Sequence, residues 1–351
     1  MIGRNLYSIP KLYIGNKEIV EFASISLDVP GNNQLSSLKV TINDPEYQDD
    51  HLFNQKIRFF LGEGGAEAKP IFEGYIKDIS PGDTSIGITA YDARIFISGE
   101  GAEPIVITDK DNYDGYTPIQ FISDIITKTL NTTETIIDIS ALTDTDPPAT
   151  MTGYRTSGKP AYDIFVGFFK DIINDDNPKE PLEWYITMEG NKLIVGKRRS
   201  IDDGHRSFIL SYMDGLQGLN YDSTVPANKG ISMDGESRGT FEYGNSPMGA
   251  VGKVISPPEG VTGNAELSNY ARQQIMKEWK ETKEITARVS RCFDIGIESM
   301  VYLNVPEKVV RGNHRVTSKR IRVAGSSVSC TLGLDKRAPR LGDYVDRKIG
   351  Q

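Results

Sequence analysis

The feature that most constrains this chain is a pair of strand hairpins built on the same pattern, one near each end. The first runs from Tyr75 to Asp92 and the second from Val316 to Asp335. In each, apolar and polar residues alternate along two segments, a glycine-containing turn separates the segments, and the second segment ends at an aspartate. This repeated design predicts two β-units of similar architecture, and no catalytic motif accompanies either hairpin.

The chain has 351 residues, which is too long for one simple core and favours two to four domains. Short alternating segments separated by Gly, Pro and Asn turns fill the first hundred residues, as in a small barrel or sandwich. The alternation slips near Ala23 and Ser24, as a β-bulge would cause. The predicted strands are Lys11–Ile14, Glu18–Val29, Ser37–Asn43, Lys56–Leu61, Pro70–Ser80 and Ser85–Ile97.

Two amphipathic helices are predicted after residue 100. Thr117 and Pro118 make a good N-cap and first-turn pair. The apolar face of this first helix consists of Ile119, Ile122, Ile125, Ile126 and Leu130. A second helix is predicted from Lys159–Pro160 to Asn174, with a stripe made of Ala161, Ile164, Phe165, Phe168 and Ile172. A hairpin over residues 182–195 completes a compact α+β insert.

The last third of the chain is predicted to be a second β-unit that contains one helix. Residues 208–263 are strand-like but rich in Gly, Ser, Asp and Pro. Asn264 is placed to cap a helix through residue 282, and Ala271, Ile275 and Trp279 recur on one face of it. Strands over 284–294 and 300–305 and the closing hairpin complete the unit.

The predicted fold class is therefore α+β, mainly β, with two small β-barrel-like domains and an α+β domain between them. The expected domains are an N-terminal β-barrel over 1–103, the α+β insert over 104–207, and a second β-barrel over 208–336 with its helix at 264–282. Residues 337–351 are expected to form a C-terminal arm that orders on a neighbour.

Composition excludes several function classes. The net charge of −8 gives no overall attraction to nucleic acid. No stretch reaches the roughly 18 apolar residues of a membrane span, and the first residues lack the apolar segment of a secretory signal. We therefore expect cytoplasmic synthesis, no specific nucleic-acid binding and no stable membrane insertion. The basic clusters Lys197–Arg199 and Lys319–Arg322 are interpreted as solvated strand faces or subunit contacts.

Cysteine and histidine usage indicates no metal site. The two cysteines, Cys292 and Cys330, lie on predicted strands, where small buried side chains are expected. Whether they face one another on paired strands stays open at this point, and two cysteines make no disulfide framework. The three histidines, His51, His205 and His314, are far apart in sequence and none is near a cysteine. A zinc site is not expected.

The segment from Asp109 to Gly115 resembles a calcium-binding loop but departs from it twice. Its third acidic residue comes one place late, and Gln120 stands where a bidentate Glu is needed. An Asx-rich turn before a helix is the favoured interpretation. The glycine-rich segment Gly62–Gly65 lacks the Lys-Ser/Thr of a phosphate loop.

Other candidate residues carry no catalytic pattern. The aromatic residues Trp184, Trp279, Phe165, Phe168 and Phe169 are interpreted as core residues first. The acidic residues Asp175, Asp176, Glu180 and Glu183 indicate a glycosidase only if geometry pairs them. We predict no catalytic, cofactor-binding or metal-binding residues, no cofactor, and no enzymatic activity.

The order of these elements resembles the baseplate hub proteins of contractile phage tails, which are similar to the hub-like part of type VI secretion spike proteins. The segments that carry the resemblance are Thr117–Ile126, Ala161–Phe169, Glu183–Val195, Asn264–Ala271 and Asn313–Leu334. The resemblance covers most of residues 5–336. No lysozyme-like insert is present, so cell-wall digestion is not expected.

The resemblance implies a homotrimeric ring that adapts a sixfold tail tube to a threefold central spike and lets DNA pass. The implied partners are further copies of this chain, the tail tube protein, the central spike protein, and baseplate wedge or tape-measure proteins. The implied location is the tail baseplate of a virion assembled in the host cytoplasm. Three alternatives stay open: a type VI-like or bacteriocin injection machine, a peptidoglycan-active tail enzyme, and a monomeric carbohydrate-binding module.

Overall fold

The structure is a computed structural model. It describes residues 10–31, 34–43, 52–61, 69–98, 105–107, 113–142, 158–171, 184–197, 208–220, 229–242, 252–257, 261–280, 285–290, 292, 294–305, 310–325 and 327–334. This part of the chain is mostly strand with few helices. The predicted fold class, α+β and mainly β, is confirmed.

The chain divides into two compact units, and neither is a single continuous segment. Unit 1 comprises Met1–Phe208, Arg288–Met300 and Arg315–Leu332. Unit 2 comprises Ile209–Ala287, Val301–His314 and Gly333–Gln351. The three consecutive domains expected from the sequence stay a prediction.

Unit 1 contains most of the strands, and their alternating burial follows the alternating sequence. Its first strands are β1 (Lys11–Ile14), β2 (Lys17–Ile19), β3 (Phe22–Val29), β4 (Ser37–Ile42), β5 (Lys56–Phe60), β6 (Phe72–Pro81), β7 (Ile86–Asp92) and β8 (Val106–Ile107). They are followed by β9 (Lys159–Pro160), β10 (Trp184–Glu189) and β11 (Lys192–Lys197). β7 shows the pattern most simply, because every second side chain is buried from Ile86 to Asp92. Such alternation places one sheet face against a core.

The main sheet of unit 1 includes the last hairpin of the chain. That hairpin consists of β19 (Val310–Ala324) and β20 (Ser327–Leu334). The strand order is β20-β19-β3-β4-β7-β6-β5-β1-β2. β19 pairs antiparallel with β3, with Lys319 opposite Val29 and Ala324 opposite Ser24. The register of β3 against β4 shifts between Phe22 and Ser24, which confirms the predicted irregularity.

Two helices and a hairpin pack into a second core within unit 1. The helices are α1 (Pro118–Ile125), which continues as a π-helical turn over Ile126–Leu130, and α2 (Ala161–Asp171). The predicted apolar faces are buried where their side chains are described, with Leu130 only partly buried, and the hairpin β10–β11 supplies Ile186 and Leu193 to the same core. The side chains of Phe168 and Ile172 lie outside the described residues. The turn between its strands lies at Gly190, whose φ of +62° favours glycine. The core side chains include Ile119, Ile122, Ile125, Ile126, Ala161, Ile164 and Phe165.

Helix α1 begins at a capping box that the sequence predicted only in part. The Thr117 hydroxyl accepts a hydrogen bond from the Gln120 backbone N–H at 3.1 Å. The Gln120 side-chain carbonyl accepts one from the Thr117 backbone N–H at 3.0 Å. Two backbone donors that the helix leaves unpaired at its start are thus satisfied.

We expect Thr117→Ala to lower the free energy of unfolding by about 1 kcal/mol, because it removes the acceptor at the helix start. Urea unfolding followed by circular dichroism measures the change. Thr127→Ala is the matched control, since Thr127 is exposed within the π-helical turn. Equal effects of the two substitutions would contradict a capping role for Thr117.

Unit 2 contains a three-stranded sheet covered by the third helix. The sheet order is β15 (Ser237–Glu242), β14 (Lys229–Asp234), β16 (Gly252–Ile255), and α3 (Asn264–Lys280) packs on β15 and β14. Ala271 and Ile275 are buried in this small core, as predicted. The helix ends at Lys280, within two residues of the predicted end at 282. Other strands of the chain include β12 (Phe208–Leu210), β13 (Leu216–Asn220), β17 (Ile285–Val289) and β18 (Met300–Val305).

Several sequence-based boundaries were wrong. The predicted strand Glu18–Val29 is two strands, because β2 ends at Ile19 and β3 begins at Phe22. The predicted strand Ser85–Ile97 ends at Asp92, and a 3₁₀ turn follows over Ala93–Phe96. The Asp92 side chain accepts a hydrogen bond from the Arg94 backbone N–H and caps that turn, which explains why the strand stops there. Predictions on the C-terminal arm and on residues 281–282 lie outside the described residues.

Candidate functional site

Only the last residues of the calcium-like segment, 113–115, are described, and they precede the start of helix α1. Gly115 has a φ of +84°, typical of a turn, and the Gln120 side chain is held in the capping box of α1. Asp109 and Asp111 lie outside the described residues. Within the described ranges, no group of three or more His, Cys, Asp or Glu side chains is placed to hold a metal ion.

Several other candidate residues fall outside what the structure describes. These are the segment Gly62–Gly65, the acidic residues Asp175, Asp176, Glu180 and Glu183, the histidines His51 and His205, the basic residues Arg198 and Arg199, and the side chains of Trp184, Trp279, Phe168, Phe169 and Lys197. His314 is buried, with 5% of its surface exposed. Phe165 is fully buried in the helical core, as the sequence predicted.

A buried polar cluster in the described part of unit 1 surrounds Arg94, which is 1% exposed. Its Nε and NH2 groups donate to the two carboxylate oxygens of Asp92 at 2.9 and 2.6 Å. Its NH1 group donates to the Tyr162 hydroxyl at 3.0 Å and to the Ile186 carbonyl at 3.3 Å. NH2 also donates to the Gln34 carbonyl at 2.8 Å. The five N–H donors of a guanidinium are therefore all used.

This cluster joins three parts of unit 1. Asp92 ends strand β7, Tyr162 lies in helix α2, and Ile186 lies in the hairpin strand β10. The Asp92 carboxylate also accepts the Ser36 backbone N–H at 2.6 Å. A buried charge is tolerated when it is paired and fully hydrogen-bonded. Arg94 therefore fixes the helical insert on the sheet and has no donor left for a ligand.

The electrostatics of the cluster favour a permanent ion pair. Burial alone would lower the pKa of Arg94, but the charge of Asp92 and its hydrogen bonds outweigh burial and raise that pKa. Burial also raises the pKa of the Tyr162 hydroxyl. Both groups consequently keep their protons over the physiological pH range, so the cluster is not suited to proton transfer.

A second buried cluster contains the two cysteines and a lysine. Cys292 and Cys330 are 1% and 0% exposed, and hydrogen bonding with Cys330, together with burial, raises the pKa of the Cys292 thiol. Lys319 is 8% exposed and donates to the Ile295 carbonyl at 3.0 Å. The prediction that Lys319 lies on a solvated face was wrong, because it shares the inward-facing side of β19 with buried Ile321 and Val323.

The cysteines also depart from the predicted strand arrangement. β17 ends at Val289, so Cys292 follows the strand, whereas Cys330 lies within β20. Both are nevertheless small buried residues, as expected. Neither is bonded in a disulfide.

No described helix is long and apolar enough to cross a bilayer. The exposed large apolar side chains of the described residues include Val20, Ile209, Met213, Met233 and Val254. The polar groups around Arg94 and Lys319 in the interior bind other parts of the chain.

Comparison with protein-family models finds no matching family. No curated protein matches the sequence. Comparison with solved structures does give matches. The 43 kDa tail protein of prophage MuSo2 from Shewanella oneidensis superposes with a TM-score of 0.63 at 10% identity, over 94% of this chain and 97% of that one.

Two further structures agree with the first. A tail protein from Neisseria meningitidis gives a TM-score of 0.61 at 12% identity, over 96% of this chain and 98% of that one. The present chain has the fold of these tail proteins. The third match is an E. coli component of the type VI secretion system with structural similarity to the T4 bacteriophage tail proteins gp27 and gp5. It gives a TM-score of 0.53 at 11% identity, over 94% of this chain and 80% of that one.

The resemblance found in the sequence is confirmed by these matches. The tail-protein fold is shared along nearly the whole chain, although identity is only 10–12%. Sequence reasoning missed the Arg94 cluster, but a signal for it was present. Asp92 ends an apolar strand and Arg94 follows two residues later, a spacing that suits an aspartate capping a tight turn.

Proposed function

We propose that this protein is a structural hub of a tail baseplate, located in the virion tail and assembled in the host cytoplasm. The observation that carries the proposal is the extent of the fold match, which covers 94% and 96% of this chain against two tail proteins. A shared domain alone would leave most of the chain unmatched. The absence of a spare guanidinium donor at Arg94 fits a structural role as well.

The proposed assembly is a homotrimeric ring with one face toward a sixfold tube and the other toward a threefold spike. Two β-units of similar design within each chain would give such a ring six similar units. The proposed domains are those expected from the sequence, over 1–103, 104–207 and 208–336, with an arm over 337–351. The partners would be the tube protein, the central spike protein, and baseplate wedge or tape-measure proteins.

The net charge of −8 fits a channel through which DNA passes. An acidic lumen repels the phosphate backbone and so prevents the DNA from binding during passage. A ring closed by repeated heterologous contacts also covers strand edges that would otherwise aggregate.

A related machine is the second candidate. The match to the E. coli type VI secretion component at a TM-score of 0.53 favours a hub in a type VI-like or bacteriocin injection machine. Such a hub would use the same trimeric architecture but pass protein cargo. Copurification from a lysate of infected or induced cells would separate the two candidates by the tube and spike proteins recovered.

We expect the full chain to form a trimer in solution, with three times the 38.9 kDa mass of one chain. Native mass spectrometry and analytical ultracentrifugation over a hundredfold concentration range measure the assembly. Averaged electron micrographs should show threefold rings. A chain that stays monomeric at every concentration, and that releases sugar from purified peptidoglycan, would overturn the hub and favour an enzyme.

A further inference from the structure

Unit 2 exposes two groups of large apolar side chains to solvent. In its described part, the large apolar side chains left exposed are Ile209, Tyr212, Met213, Met233 and Val254. The first three lie in one short segment of the chain, and the other two lie on one sheet. Met213 is 98% exposed and Val254 is 72% exposed. Grouped apolar surface of this kind marks an interaction site, whereas single scattered residues do not.

The first group lies on a turn that hydrogen bonds hold in shape, and we call residues 209–214 the apolar knob. The Ser211 hydroxyl accepts hydrogen bonds from the backbone N–H groups of Met213 and Asp214, each at 3.2 Å. The same hydroxyl donates to the Asp214 carboxylate at 2.5 Å. The chain then returns to the interior at Leu216, which is 3% exposed. Because the turn is already ordered, docking of the knob costs little conformational entropy.

The second group lies on the side of the three-stranded sheet that faces away from α3. A Cβ atom at Gly230 or at Gly239 would meet atoms of α3, and Ile255 packs in the core beneath that helix. These three residues therefore mark the covered side on β14, β15 and β16. Side chains alternate along a strand, so their neighbours point to the opposite side.

That opposite side carries an apolar row that crosses all three strands. Val254 lies opposite Ile231, and Ile231 lies opposite Thr240. In the next row Met233, which is 51% exposed, lies opposite exposed Arg238. Residues opposite one another on paired strands project from the same side of a sheet. We call these five residues the open face.

Charged groups stand at both ends of the open face. Lys229 and Glu242 form an ion pair at 3.3 Å beside the apolar row, and Arg238 stands at the other end. An apolar centre with a charged rim is the usual anatomy of a protein interface. The apolar knob has the complementary make-up, because the acidic Asp214 directly follows the exposed Met213.

We propose that the apolar knob of one copy of this chain docks on the open face of a second copy, with Met213 against Val254 and Asp214 beside Arg238. The inference rests on the proposed ring and names a contact that would build it. One such contact covers both exposed apolar groups of unit 2. Because it joins two different patches, it repeats from copy to copy in one direction, and three repeats can close a ring.

The occupant is a further copy because both halves of the contact, with opposite charges at their edges, lie on the same chain. Each chain carries a net charge of −8, so two copies repel one another overall. A local pair of Asp214 with Arg238 opposes that repulsion where the two copies meet. Complementary charges at the rim of an interface also fix the orientation in which partners dock.

The test coexpresses two differently tagged full-length copies, one with Met213→Cys and one with Val254→Cys, and treats the copurified assembly with a short bismaleimide. Mass spectrometry should identify a link between the two introduced cysteines of different copies. Assemblies of either variant alone should give no link, since the contact joins unlike positions. Val20→Cys coexpressed with Val254→Cys is the matched control, because Val20 is 82% exposed but lies in unit 1. The native thiols of Cys292 and Cys330 are at most 1% exposed and stay unreacted.

A second measurement follows the strength of assembly. Met213→Asp should raise the dissociation constant of the trimer about 30-fold or more, as the loss of a central apolar anchor does at an interface. Val20→Asp should leave that constant unchanged. Asp214→Arg and Arg238→Asp should each weaken assembly, and the two together should restore it. Analytical ultracentrifugation gives the constants, and circular dichroism checks that each variant is folded.

The contact and the proposed hub fail in different ways. A wild-type chain that stays monomeric would overturn both. A wild-type trimer without the link between Met213→Cys and Val254→Cys, or one that Met213→Asp does not weaken, would overturn the contact and leave the hub standing. Links between like positions, or links from Met213→Cys to a tube or spike protein in assembled particles, would also overturn it.

Discussion

Arg94→Met is expected to lower the free energy of unfolding by about 3–5 kcal/mol, because it leaves the Asp92 carboxylate buried without its partner. Because methionine fills a similar volume, the decrease in the free energy of unfolding measures the lost polar contacts and not a cavity. Three elements of unit 1 lose a common anchor at once, since Arg94 contacts Tyr162 in α2 and Ile186 in β10. Urea unfolding monitored by circular dichroism and by aromatic fluorescence measures the change.

The matched control is Arg320→Met, because Arg320 pairs with Asp28 at 2.7 Å on the surface. Its side chain is 50% exposed and that of Asp28 is 43% exposed. An exposed pair of this kind contributes about 0–1 kcal/mol. The loss of unfolding free energy in Arg94→Lys should fall between those of Arg94→Met and Arg320→Met. Lysine keeps the charge but offers fewer donors in a different geometry. If Arg94→Met cost no more than Arg320→Met, the anchor role would be wrong.

Gly239→Ala should separate helix α3 from the sheet of unit 2. A Cβ atom at Gly239 would overlap the backbone of α3 at Leu267 and Ser268. Backbone cannot move aside as a flexible side chain can, so the whole helix must shift. Overpacking of this kind costs about 1–3 kcal/mol, with more expected where backbone is displaced.

Hydrogen exchange of the α3 amides gives the sharpest measurement, because a displaced helix loses protection over residues 264–280. Gly252→Ala is the matched control. Gly252 lies in the same sheet, on β16, and a Cβ there meets no atom within 4 Å. Protection of α3 should be unchanged in that variant. Retained protection in both variants would show that α3 does not need the glycine for its docking.

The elements that could be predicted from the sequence are those in which the spacing of apolar residues indicates which side chains are buried. Both hairpins and the helices α1 and α2 follow this rule, because their apolar residues recur at the spacing of a strand or a helix. The hairpin β10–β11 was placed correctly for the same reason, with its turn at Gly190. The tail-protein fold followed from the order of these elements rather than from any single motif.

The elements that could not be predicted depend on contacts between distant segments. Strand β15 lies in the strand-like but glycine-rich segment 208–263, where the sequence set no strand boundaries, and its Gly239 lies against α3. Lys319 looked solvated because its burial depends on the segment near Ile295. The buried contacts of Arg94, which the sequence analysis placed inside the predicted strand Ser85–Ile97, were missed for the same reason, since Tyr162 is 68 residues away in sequence.

The discontinuity of unit 1 has a consequence for how the protein is made. Strand β3 pairs with β19, whose residues are translated 292 positions later at the contact between Asp28 and Arg320. Until the ribosome has released that distal strand, one side of β3 offers unpaired backbone groups to other nascent chains. Premature termination products should therefore precipitate or recruit chaperones, and synthesis at low temperature should improve the yield of the intact polypeptide.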